Sequence, residues 1–379
     1  MTSAAQPSPR LRIAYLITNS EIGGAQSHVA DLVQAAPADA DLILLAGGDG
    51  PLFDIARRAG AQVIRLARLD NALSPLRAVG ALRELLQALK QARPDLIHAH
   101  SAKAGALGRI AGGLLGIPVV YTVHGFAFKP QAPTRQRLAA RVAEWLLAPL
   151  TSRLICVAEA EQRLAKSLPI PASRIAVIPN GIADSATRAS PAAPMRRIVM
   201  VARFAAPKRP DILIRAFAYA NLTGCELVLA GDGPQRTAME ALAAQLAPGR
   251  VAFPGNVADI AGLLASAQAF VLASDHEGFP LSVLEAMRAG LPVIASDLPG
   301  IREQIQDPRH GLLVDRNDAD AFSAALARIA GDGALRAELG IAARRRWEQC
   351  YGLDRMTEAT WQVYRDALPR LPATARVPT

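Results

Sequence analysis

The sequence predicts an α/β protein made of two doubly wound parallel sheets with a cleft between them. Three observations lead there. The chain of 379 residues exceeds what one ordinary core takes up, and half of it is apolar with few aromatics. From residue 11 onward, short apolar runs alternate with stretches of helical periodicity, the signature of repeated βαβ units. The alternation halts at ADSATRASPAAP, residues 183–194, which is small, polar and aperiodic, and then restarts. The expected organisation is a disordered start at 1–10 and a first domain at 11–182. A linker at 183–194, a second domain at 195–352, a C-terminal helix at 353–368 and a disordered tail at 369–379 follow.

The first domain opens on a strand at 11–18, LRIAYLIT. Asn19 to Gly24 turns into a helix at 25–35, so Gly23 and Gly24 stand at a strand-to-helix corner. Glycines there let backbone approach a ligand; a plain tight turn is the alternative. No G-x-G-x-x-G is present at this corner, and no acidic residue ends the second strand in a ribose-binding position, which speaks against a dehydrogenase. Strands follow at 42–46 and 63–66, then a helix at 75–92 with Leu82, Leu85, Leu86 and Leu89 in one stripe. The strand at 95–99 runs into His100 and Lys103 and a helix carrying Arg109, and the strand at 118–123 ends at His124 and Gly125. Loops after parallel strands share one sheet edge, so these three face a common crevice. A lone histidine after a strand is ordinarily structural, but His124 lies in a loop before glycine, which favours a binding role. The helix at 133–150 gathers Leu138, Val142, Trp145 and Leu146 on one face beside Arg137 and Arg141. Core packing is the expected use of that stripe, and a membrane surface is the alternative. Strands at 153–157 and 175–178 complete the domain.

The second domain repeats the pattern. A strand at 197–202 leads into a basic loop, Arg203 to Pro210, where Arg203 and Lys208 lie five apart. A planar fork and a compact ammonium together suit a pyrophosphate; a solvated basic loop is the alternative. The strand at 226–230 ends in Gly231-Asp-Gly-Pro234, and further helices and strands lead to the strand at 269–273. Next comes DHEGFPLSVLEAMRAGLPVIASD, residues 275–297, around which the chain is organised. Glu277 lies in the loop and Glu285 eight residues on, in a helix read over 282–289. Gly278, Phe279, Pro280 and Leu281 form the turn into that helix, whose backbone N–H groups suit phosphate or sugar oxygens. Both carboxylates suit sugar hydroxyls. Ser282-Val-Leu-Glu285 also reads as a capping box, which needs no ligand.

The formal charge is +9, of which +8 falls in residues 1–190. No aromatic-interleaved basic stretch, zinc spacing or basic-region helix is present, so nucleic acid is not the expected partner. An anionic membrane surface or a pyrophosphate-linked substrate fits better. Three scattered cysteines form no metal or disulfide pattern, and no apolar run reaches the length of a membrane span. The first ten residues lack an apolar signal region. The expected location is cytoplasmic, peripheral on the inner face of the inner membrane.

The string E-G-F-P-L-S-V-L-E-A-M-x-A-G-L-P-V-I-A-S resembles the E-x7-E signature of retaining glycosyltransferases of family 4, which have the GT-B fold with two Rossmann-like domains. V-A-R-F-x-x-x-K-R-P matches the family's phosphate-binding Arg and Lys, and residues 95–126 resemble members that build exopolysaccharide, capsule or lipopolysaccharide. The resemblance implies a nucleotide sugar, UDP-linked by expectation, as substrate. It implies no other cofactor, a saccharide or lipid-pyrophosphate-linked acceptor, and a C-terminal helix that crosses back to the first, acceptor-side domain. Arg203 and Lys208 would neutralise the leaving diphosphate, Glu277 hold sugar hydroxyls and Glu285 the ribose. Amides at 278–281 would add contacts, and His124 with Gly23 and Gly24 would close on sugar and acceptor. One departure is Ala158, where related enzymes commonly have serine. No D-x-D stands at a strand end, so metal independence is expected. A nucleotide-sugar 2-epimerase of the same fold and a non-catalytic nucleotide-sugar binder are the rival readings.

Overall fold

A parallel strand covered on both faces is apolar at nearly every position, and Ile13, Ala14, Tyr15, Leu16 and Ile17 are all buried. They lie on β1 (Arg12–Asn19) in a computed structural model that describes residues 10–72, 74–129, 133–306, 308–315 and 318–368. After β1 come α1 (Gly24–Gln34), β2 (Asp41–Gly47), α2 (Leu52–Arg58), β3 (Gln62–Arg65), α3 (Pro75–Ala92) and β4 (Leu96–His100). Then follow α4 (Ala102–Leu115), β5 (Val119–Val123), α5 (Thr134–Leu147), β6 (Arg153–Cys156), α6 (Glu159–Ala165) and β7 (Ile175–Val177). The seven strands lie in the order β3-β2-β1-β4-β5-β6-β7, all parallel. Winding therefore reverses between β1 and β4, the position at which open α/β sheets bind ligands outside the strands' carboxyl ends.

The second sheet is wound the same way. Its elements are β8 (Arg197–Val201), α7 (Pro210–Ala220), β9 (Glu226–Ala230), α8 (Arg236–Leu246), β10 (Val251–Gly255), α9 (Ile260–Ala265) and β11 (Ala269–Leu272). They continue with α10 (Leu281–Ala289), β12 (Val293–Ser296), α11 (Pro299–Gln304), β13 (Gly311–Val314), α12 (Ala319–Ala330), α13 (Gly333–Cys350) and α14 (Leu353–Ala367). The order is β10-β9-β8-β11-β12-β13, again parallel, with its switch point between β8 and β11. No described helix is long and apolar enough to cross a membrane.

The chain divides into two units: one holds residues up to 157, 161–178 and those from 357 on, the other 158–160 and 179–356. The segment expected as a linker, 183–194, is pinned to the second unit instead. Ala189 donates its N–H to the Ala289 carbonyl at 2.8 Å. Arg344 grips Asp184 at 2.7 and 2.8 Å, and Arg336 donates to the carbonyls of Pro191 (2.6 Å) and Ala193 (2.7 Å). The segment lacks periodicity because arginines on α13, rather than apolar contacts, hold it. The expected disordered tail, 369–379, lies outside the described residues, as does the N-terminal stretch 1–10 except Arg10. Within α14, Met356 belongs to the second unit and Thr357 onward to the first, where Arg153 donates to the Asp366 carbonyl at 2.7 Å.

Two expectations are overturned. The stripe on α5 is not core: Leu138 is 63% exposed, Val142 50%, Trp145 55% and Leu146 62%. The capping box does not form either. The N-cap of α10 is Pro280, with no side-chain cap, so Ser282 is already inside the helix. The sequence also gave no sign of α2 and α6, whose seven residues each are too few for a period to show.

Candidate active site

Adjacent ends of β1, β4 and β5 build a side-chain cluster in the first unit. His98 and His100 are two apart on β4, so their side chains leave the same face of the strand, and their ring centroids are 4.1 Å apart. His98 is fully enclosed: one ring nitrogen meets the Tyr364 hydroxyl at 2.6 Å and the other the Thr122 hydroxyl at 2.7 Å. His100 Nδ1 lies 3.1 Å from Nε2 of His124, which stands just past β5. His28, on α1, sets its ring edge against His124 with centroids 4.9 Å apart. Burial, reinforced by the neighbouring imidazoles, holds His98, His100 and His124 well below the usual histidine range. All three are neutral at pH 7. One nitrogen from each of His28, His100 and His124 lies within 4.8 Å of the others, so the trio has the donor type and spacing for a divalent cation as well as for a shared hydrogen bond.

The predicted residues of this unit separate. His124 is in the cluster. Gly24 opens α1, and a Cβ built there meets nothing within 4 Å, while at Gly23 it meets only the flexible end of Gln26. Gly23 has an extended φ of 175°, so neither packing nor backbone conformation requires glycine at this corner. Lys103 is committed elsewhere: its ammonium binds the Asp70 carbonyl at 2.6 Å, the Asp70 carboxylate at 3.0 Å and the Ala72 carbonyl at 2.8 Å. Ser101, unremarked in the sequence, has φ 69°, an uncommon conformation for a residue with a side chain, and its hydroxyl meets that of Thr18 at 2.6 Å. That contact ties the ends of β1 and β4 together.

The second unit builds its site at the β8/β11 switch point. The loop after β8 and the loop after β11 are stitched together: Arg209 donates to the Ala273 carbonyl at 3.0 Å, and Asp275 to the Pro207 carbonyl at 2.9 Å. This antiparallel bridge at Lys208 and Ser274 brings the Lys208 ammonium onto the Glu277 carboxylate, 69 residues away in sequence. Arg203, in the same basic loop, is exposed. Gly231 and Gly233 shape the loop beneath it. Their φ values are 135° and 155°, and a Cβ would fall 2.0 Å from the Ala202 carbonyl at one and 2.5 Å from the Phe204 carbonyl at the other.

The turn 278–281 is fixed from inside. The Phe279 ring is buried edge-on against Tyr351, centroids 5.5 Å apart. The Phe279 carbonyl accepts from Asn180 at 2.8 Å and that of Pro280 from Gln304 at 3.0 Å. Gly300 admits the Gly278 carbonyl, which would lie 1.7 Å from a Cβ. The side chains and carbonyls thus face inward, leaving the first-turn N–H groups of α10 with neither a side-chain cap nor an intrahelical acceptor. Glu285, fifth residue of α10, is partly buried. Lys208 and Glu277, in the loops that meet ahead of α10, and the uncapped α10 terminus offer the donor types that suit an anion, with a carboxylate among them. Sequence reasoning missed Asn180 and Gln304, whose signal is only visible as buried amides with backbone partners.

Two family descriptions divide the chain: "Glycosyltransferase Family 4" matches residues 22–186 and "Glycosyl transferases group 1" residues 188–346. A UDP-Gal:alpha-D-GlcNAc-diphosphoundecaprenol alpha-1,3-galactosyltransferase of Escherichia coli is 32% identical over 317 residues, 78% of this chain and 81% of its own. The O-antigen biosynthesis glycosyltransferase WbnH of Escherichia coli is 26% identical, covering 81% of this chain and 87% of its own. In architecture, Anabaena HepE, solved with UDP and glucose, matches 94% of this chain and 100% of its own at a TM-score of 0.82 and 22% identity. By sequence and by architecture, then, the chain belongs to the glycosyltransferases of family 4 and has their GT-B fold.

Proposed function

We propose that this glycosyltransferase moves a hexose or N-acetylhexosamine from a UDP-sugar to a saccharide or lipid-pyrophosphate-linked acceptor in surface polysaccharide synthesis, with retention of configuration. The observation that carries this reading is the corner where Lys208 meets Glu277 beside the open N-terminus of α10. A diphosphate placed there gains the Lys208 ammonium, the Arg203 guanidinium and the helix-terminal N–H groups as its negative charge develops on departure. Glu277 accepts from the donor sugar's hydroxyls and Glu285 from the ribose. The attacking hydroxyl arrives on the face the diphosphate leaves, within an ion pair. Fixed cations take the place of a divalent metal. His124, neutral and hydrogen-bonded to His100, serves the acceptor with Gly23 and Gly24. The choice of UDP and of a lipid-linked or O-antigen acceptor is supported by the names of the relatives.

The test is calorimetric binding of a panel of UDP-, GDP- and ADP-sugars, with and without EDTA, to the wild type and to Glu285→Ala and Arg203→Ala. Binding of a UDP-sugar that is unchanged by EDTA and lost in both variants is the expected result. Binding to no donor, or only with added metal, sinks the reading. Product mass with an acceptor extract then separates transfer from epimerisation.

Gly24 offers a sharper test of the first unit. Because a methyl group there meets nothing of the protein, Gly24→Ala should leave the melting temperature unchanged or slightly raised, by up to about 1 kcal/mol in stability. It should still lower turnover, since the methyl group enters the ligand's space. Full activity in that variant would make the corner a plain turn.

A further inference from the structure

A surface helix ordinarily turns its apolar side to the core, and α5 does the opposite. Its inward side carries Ala140, packed against the core, and Glu144, buried in a two-pronged pair with Arg109 at 2.8 and 3.1 Å. The Arg109 guanidinium also donates to the Gly105 carbonyl at 2.8 Å and lies 4.5 Å over the Tyr121 ring. An ion pair and a ring therefore hold this helix down. Its apolar row, Leu138, Val142, Trp145 and Leu146, stands outward within an arc of about 100°, and Leu150, just past the helix, is 39% exposed. These five residues are nearly half of the eleven large apolar side chains exposed among the described residues, gathered in one short segment.

Charge identifies the occupant. Glu144 is the only acid of α5 and is turned inward, so the outer surface carries Arg135 and Arg141 with no carboxylate. A second copy docking on this face by two-fold symmetry would set those arginines against their own counterparts. An anionic bilayer takes both features: the aliphatic row and indole enter the headgroup–acyl boundary, and the guanidinium groups meet lipid phosphates. We propose that α5 is a docking helix for anionic membrane, with Leu138, Val142, Trp145 and Leu146 inserted. This docking role rests on the first unit's geometry and not on the reaction proposed above.

The chain supplies its own probe. Trp145 is exposed, whereas Trp347 and Trp361, the other two tryptophans, are 4% and 8% exposed, so a shift in emission on adding vesicles reports α5. Full-length protein is mixed with vesicles of phosphatidylcholine, with or without phosphatidylglycerol, and followed by fluorescence and co-sedimentation. The expected result is a blue shift and sedimentation with anionic vesicles, weakened by salt. Leu138→Ser with Leu146→Ser should cut partitioning at least about tenfold, and Arg135→Gln or Arg141→Gln about fivefold each. Donor binding in solution should stay unchanged, which certifies the fold. Three results would each overturn the proposal: no shift with anionic vesicles, equal partitioning of the double serine variant, or vesicle-free self-association through this row.

Discussion

Replacing Lys208 by alanine is expected to lower kcat/KM for the donor by about two to three orders of magnitude with the second unit still folded. The loop that presents it is held by backbone bonds, Arg209 to Ala273 and Asp275 to Pro207, which the substitution does not touch. What disappears is the ammonium beside Glu277. If that cation acts on charge that develops only as the diphosphate leaves, the loss falls on kcat. If it only secures the bound donor, KM rises at constant kcat. Lys208→Arg keeps the charge but not the compact geometry, and should recover part of the rate. Glu277→Gln separates the alternatives further, because it removes the carboxylate and leaves the lysine in place. Steady-state kinetics on the three variants decides: a Lys208→Ala enzyme within about tenfold of wild type would reduce Lys208 to a support for Glu277.

How this corner assembles explains what the sequence could disclose. Strands β8 and β11 read clearly as apolar runs, so the loops after them are legible as strand ends. Their adjacency is a property of sheet order, which periodicity along one chain does not encode. The Lys208–Glu277 contact therefore had to come from the structure. The same holds for the histidines. His98 lies in a strand legible over 95–99, whereas His100 reads as the start of the loop; the strand in fact extends to His100, and an H-x-H pair on one strand puts two rings on one side. That His124 and His28 reach the same place depends on β5 and α1 lying beside β4 and β1. The α5 stripe misled for a related reason. Amphipathicity shows that a helix has two unlike sides, but not which side is turned inward. Here a buried Arg109–Glu144 pair settled that, and neither partner announces itself in sequence. Residues 183–194 read as a loose segment because a stretch held by arginine-to-carbonyl bonds has the composition of one.

Acidification should weaken the first unit through its buried histidines. Burial holds His98, His100 and His124 well below the ordinary histidine value in the folded chain. In the unfolded chain they regain a pKa of about 6.5. Below that pH the unfolded state binds protons that the folded state refuses, so unfolding becomes more favourable as pH falls. The stability is thus fully present above about 6.5 and drains away below it until the folded pKa values are reached. The limiting slope is about 1.4 kcal/mol per pH unit for each histidine, or roughly 4 for the three together. Asp70, held down to about 2 by Arg77 and Lys103, titrates in a separate and much lower window. Denaturant unfolding followed between about pH 7.5 and pH 5.5 should show the midpoint falling with pH. In His98→Gln, which removes one of the three groups, the slope should drop by about a third while the absolute stability at pH 7.5 also falls, since the links to Tyr364 and Thr122 are disturbed. A flat profile in the wild type would mean that these imidazoles take up protons without unfolding. The His100–His124 pair would then be charged over the same range, and His124 would meet its ligand as a cation rather than as a neutral base.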